Sequence, residues 1–124
     1  MKIAVDFDGV LHGYSKGWSD GTIYDPPVPG AAEAMQKLKE LGHTLYIFTT
    51  RTNPIFKDKE ASNAQKKAVE QWLKDYQIPF DKVWTFGKPM ADIFIDDRAI
   101  GFRGNWNQTL DEVTNFTVWT KSSE

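Results

Sequence analysis

The feature that most limits how this chain can fold is a set of short apolar runs, each stopping abruptly at a polar cluster. Ile3-Ala4-Val5 stops at Asp6-Phe7-Asp8-Gly9, Thr44-Leu45-Tyr46-Ile47-Phe48 at Thr49-Thr50-Arg51, and Ile93-Phe94-Ile95 at Asp96-Asp97. Val83-Trp84-Thr85-Phe86 is a fourth run, with Lys88 just beyond it. The first two runs lack polar alternation, which predicts strands buried on both faces of a parallel sheet. Two helical stretches lie between the runs. Pro29 is placed as a first-turn proline, Ala31, Ala34, Met35, Leu38 and Leu41 follow at helical spacing, and Gly42 stands at the stop. Ala61, Ala64, Ala68, Trp72, Leu73 and Tyr76 mark a second helix, with Pro79 as its terminator. Strands alternating with helices imply right-handed βαβ crossovers and an α/β, doubly wound parallel sheet that binds ligands beyond the carboxyl ends of its strands. Every polar cluster falls on that edge.

Residues 11–28 are rich in Gly, Pro and aromatics and read as an ordered flap after the first strand. In the tail, Leu110 to Val113 reads as a helical turn, Phe116 to Trp119 as an edge strand, and Lys121 to Glu124 as a frayed end.

With 124 residues the chain has room for one core, so 1–124 is expected to be a single domain. A net charge of −2 argues against broad electrostatic capture of nucleic acid or anionic membrane, and leaves nucleic acid open only as a substrate. The absence of cysteine excludes disulfides, thiolate metal sites and a Cys nucleophile. Met1 to Val5 is too short an apolar run for a signal peptide, and no stretch approaches the roughly 18 apolar residues of a membrane span. A cytoplasmic location and no membrane partner are expected. The oligomeric state is left open.

Asp6 and Asp8, two apart on one strand, point to the same side, and Gly9 permits a sharp exit. Taken singly, such carboxylates are as often turn or cap residues. The set Asp6-Phe7-Asp8-Gly9, Thr49, Lys88 and Asp96-Asp97, in that order, resembles the four motifs of the haloacid dehalogenase (HAD) superfamily over nearly the whole chain. The resemblance implies a Rossmann-like HAD core and a Mg²⁺-dependent phosphohydrolase working through an aspartyl-phosphate. It makes Asp6 the nucleophile, Asp8 the acid and base, and Thr49 and Lys88 the neutralising groups. It further implies that Mg²⁺ is held by the Asp6 side chain, the Asp8 backbone carbonyl and Asp96, with Asp97 ligating through water or holding Lys88.

The proposed chemistry suits the residue types. A carboxylate can attack phosphorus in line, a neighbour in reach can manage the protons, and an all-oxygen site suits Mg²⁺. Only the 11–28 flap separates the motif of Asp8 from the first helix, and Lys88 closely follows the third strand. The chain therefore resembles the capless members, with an open site. The resemblance implies a phosphorylated substrate of unidentified class, with a nucleotide, a sugar phosphate, a polynucleotide end, a protein side chain and a lipid-linked sugar all open. The alternatives are a phosphotransferase or a non-catalytic phosphate- or metal-binding module. Substrate contacts are expected from Gly9, Thr50, Arg51, Tyr14 and Trp18, although packing onto the domain is the commoner role for the two aromatics and an ion pair is equally open to Arg51. Arg98, Arg103 and Trp106 are read as structural. His12 is read as a flap residue that is not a metal ligand but is in reach of substrate, and His43 as the residue that begins a strand.

Overall fold

The computed structural model describes residues 1–55, 57–85 and 87–119, and at its centre β1 (Lys2–Asp6) pairs in parallel with β2 (Thr44–Phe48) on one side and β4 (Ile93–Ile95) on the other. Strand β3 (Lys82–Trp84) adds to β2, giving the order β3-β2-β1-β4 with every pair parallel. This is the Rossmann-like α/β arrangement expected from the alternating runs.

The register Ile3↔Leu45, Val5↔Ile47 and Ile47↔Val83 lines these side chains up on one face, because side chains alternate along a strand. Met35 of α1 (Ala31–Glu40) and Val69, Trp72 and Leu73 of α2 (Lys59–Asp75) join them in a single buried cluster. Burying a side chain such as Leu45 or Leu73 completely stabilises the fold by about 1.5–3 kcal/mol.

The opposite face is less covered. Ile3, Ala4 and Val5 of β1 are buried on both sides, as expected of a central strand, but Tyr46 and Phe48 of β2 are only half-buried. Ile93, Phe94 and Ile95 remain 38–40% exposed, because β4 is an edge strand.

Helix ends depart from the sequence expectation for local reasons. Pro29 lies ahead of α1 rather than in its first turn, since Gly30 takes the N-cap position in the left-handed region (φ 88°). Gly42, at φ 90°, ends that helix as expected. Helix α2 is capped by the Asp58 carboxylate, which accepts from the Ala61 N–H at 2.7 Å. It stops at Asp75, before Pro79 acts. Gln77 turns into the left-handed region (φ 58°), and the Ile78 N–H reaches back to the Leu73 carbonyl.

The tail holds a full helix, α3 (Trp106–Asn115), capped by Asn105, where one turn was expected. No strand forms from Phe116 to Trp119. The Trp119 indole N–H instead donates to the Gly9 carbonyl at 2.7 Å. The expectations for Phe86 and for Lys121 to Glu124 fall outside the described residues. None of the described helices is long and apolar enough to cross a membrane.

The flap is well anchored. The Gly9 N–H donates to the His12 carbonyl at 2.8 Å, the Val28 N–H to the Leu11 carbonyl at 2.8 Å, and isolated bridges join His12 to Asp8 and to Pro27.

Candidate active site

Parallel pairing of β1 with β4 in the register Val5↔Ile95 carries Asp6 beside Asp96 as the two strands run out. Asp6, Asp96 and Asp97 then offer carboxylate oxygens that all lie within 4.8 Å of one another. Burial pushes the Asp6 carboxyl up to about 8, the neighbouring charge of Asp96 and the closeness of Asp97 push the same way, and a hydrogen bond from the Phe7 N–H only partly offsets them. Asp97 Oδ1 is buried with no hydrogen-bond partner. Three carboxylates whose oxygens converge, one of them also holding an unpartnered buried oxygen, fit a hard divalent cation such as Mg²⁺.

Gly9 is needed beside this cluster. It sits at φ 85°, and a Cβ built there would lie 2.3 Å from Asp97 Oδ2. Gly9→Ala is therefore expected to lower stability by about 1–3 kcal/mol through the backbone alone, and to displace the Asp97 carboxylate. Denaturant unfolding and a Mg²⁺ titration would check this. Unchanged stability together with unchanged metal affinity would contradict it.

The cleft in front of the cluster encloses about 360 Å³, with Asp6, Asp8, Thr49, Thr50, Asp96 and Arg98 on its polar walls and Tyr14, Phe48 and Trp84 among its aromatic ones. Thr49 ends β2, and its hydroxyl accepts from the Arg51 N–H at 3.2 Å, capping the short 3₁₀ turn Thr50–Thr52.

The Asp8 carboxylate stands outside the acidic cluster and takes its partners elsewhere. Its Oδ1 lies 2.8 Å from His12 Nδ1, and its Oδ2 accepts from Arg51 Nε at 2.7 Å. Arg51 is only 2% exposed, so it is spent on this ion pair and does not present a free fork to a ligand.

Trp18, 54% exposed, does not line the cleft. Its ring faces the Arg51 guanidinium at 5.2 Å and Lys57 Nζ at 5.0 Å. Lys88 is also absent from the cleft walls. Its ammonium sits 4.8 Å from the centre of the Phe94 ring, bordering a separate hollow with Pro89 and Met90. An uncovered aromatic on an edge strand is an attractive surface for a cation, which accounts for this placement.

Sequence reasoning missed two residues of the site. Arg98 was read as structural, although its adjacency to the acidic pair was a visible signal, and it forms part of the cleft wall. His12 was read as a flap residue with substrate contact left open, and its place, fully buried against Asp8, was not foreseen. Its spacing of four from Asp8 was the only hint.

No family model and no curated protein sequence matches the chain. Solved structures do match. A protein from Vibrio cholerae, 24% identical, superposes with a TM-score of 0.57 over 92% of this chain and 98% of its own. A chain of the Pnkp1/Rnl/Hen1 complex, 18% identical, superposes at 0.50 over 92% of this chain and 34% of its own. The D,D-heptose 1,7-bisphosphate phosphatase from B. bronchiseptica, solved with magnesium and phosphate, is 21% identical, with a TM-score of 0.44 over 70% of this chain and 51% of its own. The likenesses are of fold alone, the parallel α/β arrangement described above.

Proposed function

We propose that this chain is a single-domain, Mg²⁺-dependent phosphomonoesterase of the HAD superfamily, with Asp6 as its nucleophile. The observation that carries the reading is the meeting of Asp6 with Asp96 and Asp97 at the carboxyl edge of the sheet, where Asp97 Oδ1 lacks a partner. Bound there by Asp6, Asp96 and Asp97, Mg²⁺ would offset their mutual repulsion and the charge of a phosphate group.

In the first half-reaction an Asp6 oxygen attacks phosphorus, the bond to the leaving alkoxide breaks, and Asp8 gives that alkoxide its proton. In the second, water attacks the aspartyl-phosphate and passes its proton to Asp8, releasing phosphate and the free Asp6 carboxylate. His12 and Arg51 occupy one lone-pair direction on each Asp8 oxygen, and a carboxylate has about four, so room for the working proton remains. Thr49, Thr50 and Arg98 line the cleft and would hold the phosphoryl oxygens. Lys88 joins them only by leaving the Phe94 ring. A cleft without a separate cap suits a nucleotide, a sugar phosphate or the phosphorylated end of a polynucleotide.

The test is phosphate release with and without Mg²⁺ across nucleotides, sugar phosphates, phosphopeptides and phosphorylated oligonucleotides. Metal-dependent release from at least one class is expected, and silence across all of them would end the reading. Asp8→Asn should lose about 10²- to 10⁴-fold on an alkyl phosphate and clearly less on p-nitrophenyl phosphate, whose leaving group needs little protonation. Equal losses on the two would remove Asp8 from the acid role.

A further inference from the structure

Both oxygens of Asp8 are held by buried side chains that in turn hold the flap, along two separate routes. On the first route, His12 is 0% exposed and its Nε2 lies 3.0 Å from the Asp25 backbone nitrogen. A backbone N–H can only donate, so Nε2 must accept. Nδ1 then carries the ring proton and donates to Asp8 Oδ1 at 2.8 Å. The tautomer is thus fixed by the flap. On the second route, Arg51 donates through Nε to Asp8 Oδ2, while its NH1 group donates to the Gly21 carbonyl at 2.8 Å. The Phe7 and Trp18 rings lie against the guanidinium, and Phe7 and Trp72 against the imidazole, so neither group has another place to go.

We propose that His12 and Arg51 are positioning residues that fix the Asp8 carboxyl between them, and that the flap, anchored at Gly21 and Asp25, is the fixed wall that sets both. The proposal rests on the phosphatase reading for its consequence, which is that Asp8 meets the leaving oxygen in one orientation. A carboxyl free to rotate about its last bond would spend part of its time turned away, and a misplacement of about 1 Å can cost about 10²-fold.

Two substitutions at His12 isolate the effect. His12→Phe keeps a ring in the cluster and removes both nitrogens. In His12→Asn the amide nitrogen takes roughly the place of Nδ1, so the donor to Asp8 returns while the Asp25 N–H stays unpaired in both variants. The expected loss in kcat for His12→Phe is about 10²-fold on phenyl phosphate, with a much smaller loss on p-nitrophenyl phosphate. His12→Asn should recover to within about tenfold of the parent on phenyl phosphate. Equal losses in the two variants, or a loss independent of the leaving group, would overturn the positioning role and leave the phosphatase reading standing. Arg51→Lys keeps the charge but cannot hold Asp8 and Gly21 at once, and should show the same leaving-group signature.

A second measurement needs no turnover. In ¹⁵N spectra of the parent, His12 is expected as a neutral, slowly exchanging imidazole protonated at Nδ1. Protonation at Nε2, or rapid exchange, would overturn the clamp itself. A parent silent on every phosphate ester would instead overturn the function on which the clamp acts.

Discussion

Asp6→Asn is expected to abolish Mg²⁺-dependent phosphate release, by on the order of 10⁴-fold or more, while the protein still folds. The amide preserves the shape of the side chain at the end of β1 but cannot attack phosphorus usefully. Folding should even be eased. In the metal-free protein burial and the neighbouring Asp96 and Asp97 disfavour a charged Asp6 carboxylate, and the amide is neutral there without having to take up a proton. Turnover and a thermal scan of the same preparation decide the matter together. Near-normal release by a folded Asp6→Asn protein would sink the nucleophile assignment, and with it the aspartyl-phosphate route.

The second large effect concerns the cation. Mg²⁺ binding to the folded chain and hardly to the unfolded one should add about 2.7 kcal/mol at roughly 100 times its dissociation constant. For a domain of this size that is a rise on the order of 5 to 10 °C in Tm. The sign of the pH dependence follows from Asp6. Its carboxyl is raised from 3.8 to about 8 in the folded protein, so the folded state holds this proton more tightly than the unfolded one. That contribution to stability is fully present below pH 3.8 and is lost as the pH rises through about 8. The metal-free protein should therefore lose stability from this group between those limits, and saturating Mg²⁺ should flatten the decline. Asp96→Ala should lose most of the Mg²⁺ response and melt higher than the parent in EDTA at pH 8. An unchanged midpoint in the parent on adding Mg²⁺, or an undiminished shift in Asp96→Ala, would show that these carboxylates are not the metal site.

Much of this arrangement is legible in the order of residues. Ile3-Ala4-Val5 and Thr44 to Phe48 are β-rich runs with no room for a helix, and both form strands as expected. The acidic ends of β1 and β4 were legible for the same reason. Parallel strands all expose their carboxyl ends on one edge, so Asp6 and Asp96 had to meet once the topology was right. Local capping was harder to read. Pro29 and Pro79 were strong signals, but Gly30 and Gln77 set the helix ends through left-handed backbone that the neighbouring prolines obscure.

Other assignments depend on contacts between residues far apart in the chain. Arg51 had two comparable outlets, a phosphate or an ion pair, and nothing local chooses between them. The choice is made by Asp8 at 2.7 Å and Gly21 at 2.8 Å, which the fold brings to the guanidinium from 43 and 30 residues away. Lys88 had the spacing of a site residue, yet its ammonium rests on Phe94. The segment Phe116 to Trp119 had the composition of a strand, yet the Trp119 indole binds the Gly9 carbonyl 110 residues away. The sequence by itself determined the α/β class, the strand that carries Asp6 and the acidic edge of the sheet, because these follow from short-range periodicity and from where each apolar run stops. Only the tertiary structure decided which partner each long polar or aromatic side chain takes. Such side chains reach several neighbours at once, and the balance among desolvation, hydrogen bonding and ring contact is struck only when distant segments are packed together.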